Sequence, residues 1–265
     1  MDIIIFGGQS NMQGESESYT PGVIANAYEY KFLDDSVVPL ENPVGEDILR
    51  DGRPGRRYMS AEDTTWVDDH VFGSACFGNT SLIPKFCEAY IASTGAEVLA
   101  VPVAKGSTFI ETWLPDGYGH ELLIQKAQAA ISKAKNAGYK VGHIFFVWLQ
   151  GECDAIVENS KEYYKEKITL LNEVLKEKLQ IEKFGVIRVG RFTNDDRDLE
   201  IITAQDEICK ENEDFLMLTT IATELNAQPE YMNPNCPGHF GTRGLELLGE
   251  ISGKTLGDWV ARELK

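Results

Sequence analysis

The segment Asp2-Ile3-Ile4-Ile5-Phe6-Gly7-Gly8-Gln9-Ser10-Asn11-Met12-Gln13-Gly14 joins a short β-branched apolar run to a glycine-rich turn. A run that is apolar on both faces reads as a buried strand, and the glycines behind it mark a tight turn. Runs of the same kind follow at Glu97 to Val103, Gly142 to Leu149, Phe184 to Val189 and Phe215 to Thr220. Helical spacing fills the intervals at Ser81 to Ser93, Glu121 to Ala137, Ser160 to Leu179, Leu199 to Asn212 and Thr242 to Leu264. Strand and helix alternate, which predicts a parallel sheet covered on both faces through right-handed crossovers. The expected fold class is therefore α/β, a three-layer α/β/α domain spanning 1–265 with a parallel five-stranded central sheet.

The stretch from Glu15 to Asn79 breaks the rhythm with Pro21, Pro39, Pro43 and Pro54 and several glycines and charges. One short strand is expected near Tyr28 to Leu33. The remainder reads as an elaborated loop region over the site, not as a second domain.

Composition narrows the class. With 43% apolar and 25% charged residues over 265 positions, the chain is neither disordered, collagenous nor membrane-spanning. A formal charge of -17 disfavours nucleic acid and anionic membrane surfaces as partners; the dense basic cluster is confined to Arg53, Arg56 and Arg57. Five cysteines, Cys76, Cys87, Cys153, Cys209 and Cys236, show no CxxC pairing and read as free thiols in a reducing compartment. The chain opens without a basic segment and long apolar stretch, so a cytoplasmic protein is expected. No metal-ligand cluster and no cofactor motif is read, and the oligomeric state stays open.

Open parallel sheets bind ligands at the carboxyl ends of their strands, so chemistry is sought there. The turn after the first strand presents Ser10 with its own amide aimed at the same space, or else it is a glycine turn with a helix cap. It lacks the Gly-Lys-Ser/Thr ending of a phosphate-binding loop. Val147-Trp148-Leu149-Gln150-Gly151-Glu152-Cys153-Asp154-Ala155 ends a strand abruptly on polar residues, placing Gln150 and Glu152 at the sheet rim. An amide there suits an oxyanion and a carboxylate suits an imidazole; a solvated strand exit is the other reading. Cys153 as a nucleophile lacks a flanking base. Finally, Asn233 to Gly244 carries two prolines and three glycines around His239, after the last strand and before the last helix. His70, His120 and His143 read as structural.

A nucleophile, a base and oxyanion donors from separate strand ends make an acyl-transfer set. The blocks Gly8-Gln9-Ser10-Asn11-Met12 and Trp148-Leu149-Gln150-Gly151-Glu152-Cys153-Asp154, with the histidine loop, closely resemble the sialate O-acetylesterase and acetylxylan esterase branch of the SGNH (GDSL-like) hydrolases. The resemblance implies a flavodoxin-like sheet and a mechanism without a metal. It brings in a further block, Ala104 to Trp113, which resembles the family's Ala-x-Gly-Gly-Thr/Ser-Ser-Ile-x-x-Trp. Gly106 matches the first glycine, whereas Ser107 and Phe109 depart from the pattern.

A second departure falls at the histidine. The wider family has aspartate three residues before it, where this chain has Cys236, preceded by Asn235. Glu152 is expected to orient His239, with Asp154 in reserve and a serine-histidine pair helped by backbone carbonyls as the alternative. The implied reaction is removal of O-acetyl groups from a small acetylated carbohydrate. In it Ser10 attacks, His239 carries the proton, and the amides of Ser10 and Gly106 with Gln150 hold the oxyanion. Gln9, Asn11, Trp113 and Trp148 are candidate substrate contacts, the tryptophans equally readable as core. A lipase or thioesterase and a non-catalytic carbohydrate-binding protein are the rival readings.

Overall fold

The computed structural model describes residues 1–45, 80–193 and 195–264. The cluster Arg53, Arg56 and Arg57, together with Cys76 and His70, lies outside them. In chain order the elements are β1 (Asp2–Gly8), α1 (Ser10–Gln13), β2 (Ala27–Lys31), β3 (Ser36–Pro39), α2 (Ile83–Thr94), β4 (Val98–Ala104), a 3-10 turn (Ile110–Trp113), α3 (His120–Asn136) and β5 (Ile144–Leu149). There follow α4 (Glu152–Ile156), α5 (Lys161–Leu179), β6 (Lys183–Ile187), α6 (Asp198–Glu211), β7 (Phe215–Thr219), α7 (Ala222–Asn226), a 3-10 turn (Pro229–Tyr231) and α8 (Thr242–Glu263).

The strands form one seven-stranded sheet in the order β3-β2-β4-β1-β5-β6-β7, two more than the five expected. One addition, β2, is the short strand anticipated near Tyr28, and it runs parallel to β4. The other, β3, folds back antiparallel on β2, pairing Tyr28 with Pro39 and Lys31 with Ser36. Ser36–Pro39 escapes a hydrophobic scan because it is an edge strand with no fully buried residue.

β1 lies at the centre, flanked in parallel by β4 and β5. Ile3, Ile4, Ile5 and Phe6 are wholly buried, as a strand covered on both faces requires. One cover is formed by α2 and α8, the other by α3, α5 and α6. The first is unusually close. A Cβ added to Gly249 would stand 2.2 Å from the Leu82 carbonyl oxygen, one at Gly253 2.1 Å from that of Phe86, and one at Gly257 2.7 Å from Ser93 Cβ. A glycine every fourth residue thus lets the α8 backbone lie against α2. Among the described residues no helix is long and apolar enough to cross a membrane.

Because β1, β4 and β5 are parallel and adjacent, their carboxyl ends meet at one rim. Gly8 pairs with Ala104 on one side and Leu149 on the other, bringing the segments that follow all three strands together. Gly8 has φ of 143°, and a side chain there would strike the Leu149 carbonyl at 2.1 Å, so the turn leading to Ser10 needs glycine at this point.

Candidate active site

Ser10 is the first residue of α1, and its backbone N–H makes no hydrogen bond among the described residues. Its Oγ lies 2.8 Å from His239 Nε2 across 229 residues of sequence. The histidine is held by its loop. Asn233 N–H donates to the His239 carbonyl at 2.8 Å, and the Asn233 side chain donates to the Glu15 carbonyl at 2.7 Å. Gly238, at φ of 81°, brings the loop against Phe192, whose ring stands edge-on to the imidazole at 5.7 Å.

On the far side of the ring, Nδ1 sits 3.1 Å from Cys236 Sγ and 3.2 Å from the Pro237 carbonyl oxygen. Cys236 is disulfide-bonded, whereas Cys87, Cys153 and Cys209 are free. This corrects the free-thiol reading, and the inference from it to a reducing compartment and the cytoplasm loses its footing. A disulfide sulfur carries no proton, so Nδ1–H is the donor and Sγ and the carbonyl are its acceptors. Glu15, Cys236 and His239 are a trio with metal-ligand spacing, their ligand atoms within 4.8 Å of one another. A disulfide-bonded sulfur supplies no thiolate, which leaves only two ordinary ligands there.

Glu152 does not contact the imidazole. It is buried at the start of α4, and its Oε1 accepts from Asn11 Nδ2 at 2.8 Å. Burial holds its carboxyl above the usual carboxylate range, against the hydrogen bond from Asn11, and Oε2 has no hydrogen-bond partner among the described residues. The expected Glu152–His239 pairing is therefore corrected. Asp154 does not take its place, being turned toward Gln150, Asn159 and the Ile110 N–H.

Gln150 is also placed differently from its expected oxyanion role. Its Nε2 donates to the Thr108 carbonyl at 3.0 Å and to Asp154 Oδ2 at 2.5 Å, so both hydrogens are engaged within the protein. Tyr164 donates to Gln150 Oε1 at 3.0 Å, completing a buried network. Its effect is to tie the end of β5 to the segment after β4. That segment brings Gly106 beside Ser10: a Cβ at Gly106 would stand 3.4 Å from Ser10 Cβ. The Gly106 N–H is held by Gln13 Oε1 at 2.9 Å. Ser107 adopts φ of 60°, a conformation suited to glycine, which explains why the family pattern carries glycine there.

The proposed substrate contacts are corrected as well. Trp113 and Trp148 are fully buried and meet edge to face at 6.1 Å, so they are core. Gln9 is buried with Nε2 toward Cys153 Sγ and Oε1 toward the Gly151 and Cys153 amides. Asn11 is buried between Glu152 and Phe240. Cys153 is no rival to Ser10, since burial pushes its thiol up to about 12. Sequence reasoning missed Phe192, Gln13 and Glu15, whose Oε2 lies 3.8 Å from His239 Nε2. For Glu15 and Gln13 the signal was adjacency to the Ser10 turn; for Phe192 there was none.

A family model described as carbohydrate esterase, sialic acid-specific acetylesterase, matches residues 1–255. Among solved structures, an Arabidopsis thaliana protein superposes over 100% of this chain and 99% of its own, with 15% identity and a TM-score of 0.64. NanS superposes over 98% of both chains with 13% identity and the same score of 0.64. A carbohydrate acetylesterase from Xanthomonas citri superposes over 100% of this chain but 57% of its own, with 13% identity and a TM-score of 0.57. At such identities the likeness speaks for the fold alone. No curated protein sequence matches the chain.

Proposed function

The chain belongs to the carbohydrate esterase family of sialic acid-specific acetylesterases, and from that premise we propose that it removes O-acetyl groups from a small acetylated carbohydrate, with Ser10 as nucleophile and His239 as base. The observation that carries the reading is the 2.8 Å approach of Ser10 Oγ to His239 Nε2 at a rim where three strands end.

With Nδ1 protonated, Nε2 is the free acceptor and takes the hydroxyl proton as Ser10 Oγ attacks the acetyl carbon. The unpartnered Ser10 N–H is the oxyanion donor. Gly106 N–H becomes a second donor only when Gln13 Oε1 releases it. The tetrahedral adduct collapses as the imidazolium returns the proton to the departing sugar hydroxyl, leaving acetyl-Ser10. Water then attacks that ester with His239 again as base, releasing acetate and the free serine.

The test is acetate release from p-nitrophenyl acetate and from O-acetylated sialic acid and xylan fragments, comparing wild type with Ser10→Ala and His239→Ala. Turnover by the wild type, with loss of about a thousandfold or more in each variant, is expected. Equal rates in wild type and Ser10→Ala would remove the serine from the mechanism. A steep preference for long acyl chains would favour a lipase.

A further inference from the structure

Asn11 follows the proposed nucleophile directly, and both ends of its side-chain amide are engaged in the interior. Oδ1 accepts the Phe240 N–H at 3.1 Å, and Nδ2 donates to Glu152 Oε1 at 2.8 Å. The orientation is chemically determined: a backbone N–H only donates, so the carbonyl end must face Phe240, and the amino end then needs an acceptor, which Glu152 supplies. Phe240 is the residue after His239. The loop is tied before that point by Asn233, through its own N–H to the His239 carbonyl and its side chain to the Glu15 carbonyl. Asn11 ties it immediately after, to the same turn that carries Ser10.

We propose that Glu152 and Asn11 form a positioning relay that registers the His239 loop on the Ser10 turn, Glu152 acting through Asn11 instead of pairing with the imidazole. The proposal rests on the reading of Ser10 and His239 as nucleophile and base. Three strand ends are involved, because Asn11 follows β1, Glu152 follows β5, and the loop itself follows β7 and its short helices. What Asn11 needs from residue 152 is an acceptor oxygen, not a charge. Neither Glu152 oxygen hydrogen-bonds the imidazole: Oε1 takes Asn11 Nδ2, and Oε2 has no hydrogen-bond partner among the described residues.

The experiment uses the full chain and three variants, Glu152→Gln, Glu152→Ala and Asn11→Ala, read in two ways. A glutamine keeps a carbonyl oxygen for Asn11 Nδ2, so kcat on p-nitrophenyl acetate is expected within about threefold of wild type. The two alanine variants are expected to lose about 10- to 100-fold in kcat with KM little changed, as for a displaced base. Hydrogen exchange at the Phe240 amide should quicken by about tenfold or more in both alanine variants and stay slow in Glu152→Gln. A loss of about a thousandfold in Glu152→Gln would make the carboxylate itself essential and overturn the relay. So would unchanged kcat in the alanine variants, or Phe240 exchange unmoved by Asn11→Ala. Exchange needs no substrate, so it decides the relay even if Ser10→Ala fails to abolish turnover and the esterase reading falls.

Discussion

His239 Nδ1 and Cys236 Sγ are 3.1 Å apart, and that sulfur is already half of a disulfide. The carboxylate near the ring, Glu15, lies on the Ser10 side, 3.8 Å from Nε2; behind Nδ1 stands not a carboxylate but this soft, neutral acceptor, shared with the Pro237 carbonyl at 3.2 Å. Both fix the tautomer that leaves Nε2 free for Ser10. Neither compensates the charge that the ring takes on when it accepts a proton.

Replacing Cys236 by aspartate would put a carboxylate beside Nδ1. An opposite charge favours the protonated ring, so the acid limb of the kcat/KM profile for acetyl ester hydrolysis is expected to move to higher pH. Above that limb the rate is expected to rise by on the order of tenfold relative to Cys236→Ser, which loses the disulfide without gaining the charge. Superimposable profiles for the two variants would mean that residue 236 has no influence on the imidazole.

Asp154 makes a stability prediction with a definite sign. Burial raises its carboxyl from 3.8 to about 6, against hydrogen bonds from Gln150, Asn159 and the Ile110 amide. Between those values the folded state binds more protons than the unfolded state, so stability falls as pH rises from about 4 to about 6 and is level above. The contribution is on the order of 2–3 kcal/mol. Urea unfolding at pH 4.5 and 7.5 should show the advantage of wild type over Asp154→Asn shrinking by about that amount. An advantage that grows with pH would contradict the buried-acid account.

Trp113 offers a test of core against sugar wall. Trp113→Phe removes part of a fully buried ring and the 3.2 Å bond from Nε1 to Thr108 Oγ1. Unfolding free energy is expected to drop by about 1–3 kcal/mol with KM for acetylated sugars unchanged. A raised KM without loss of stability would return the residue to the binding surface.

Gly253→Ala should be costly although it adds one methyl group. That methyl would lie 2.1 Å from the Phe86 carbonyl oxygen, forcing α8 away from α2. A loss of about 1–3 kcal/mol or more is expected by denaturant titration. The same change at Gly138, which has open space around an added Cβ, provides a surface control for its own backbone strain at φ of 87°.

The strand ends that build the rim were legible because period and burial agree there: Asp2–Gly8, Val98–Ala104 and Ile144–Leu149 are runs apolar on both faces. Ser10 and His239 were legible for the same reason, as polar residues in glycine-rich turns behind such strands. The roles of Glu152 and Gln150 were not. Their type suited the chemistry, but their partners are Asn11, 141 residues earlier, and the Thr108 carbonyl, 42 residues earlier, which no local pattern specifies. Cys236 was misread because an odd count of scattered cysteines carries no pairing signal.

The glycine stripe of α8 also says where this protein tolerates being cut or decorated. With Gly249, Gly253 and Gly257 seated on α2, α8 serves as a rail, and the His239 loop is mounted at its leading end. A graft within 242–263 would shift the His239 loop, whereas the exposed turn at Ala137 and Gly138 is a site for a label or a new chain break. For an engineer the helix behind the His239 loop is part of the instrument, and the turn at the opposite rim of the sheet is merely casing.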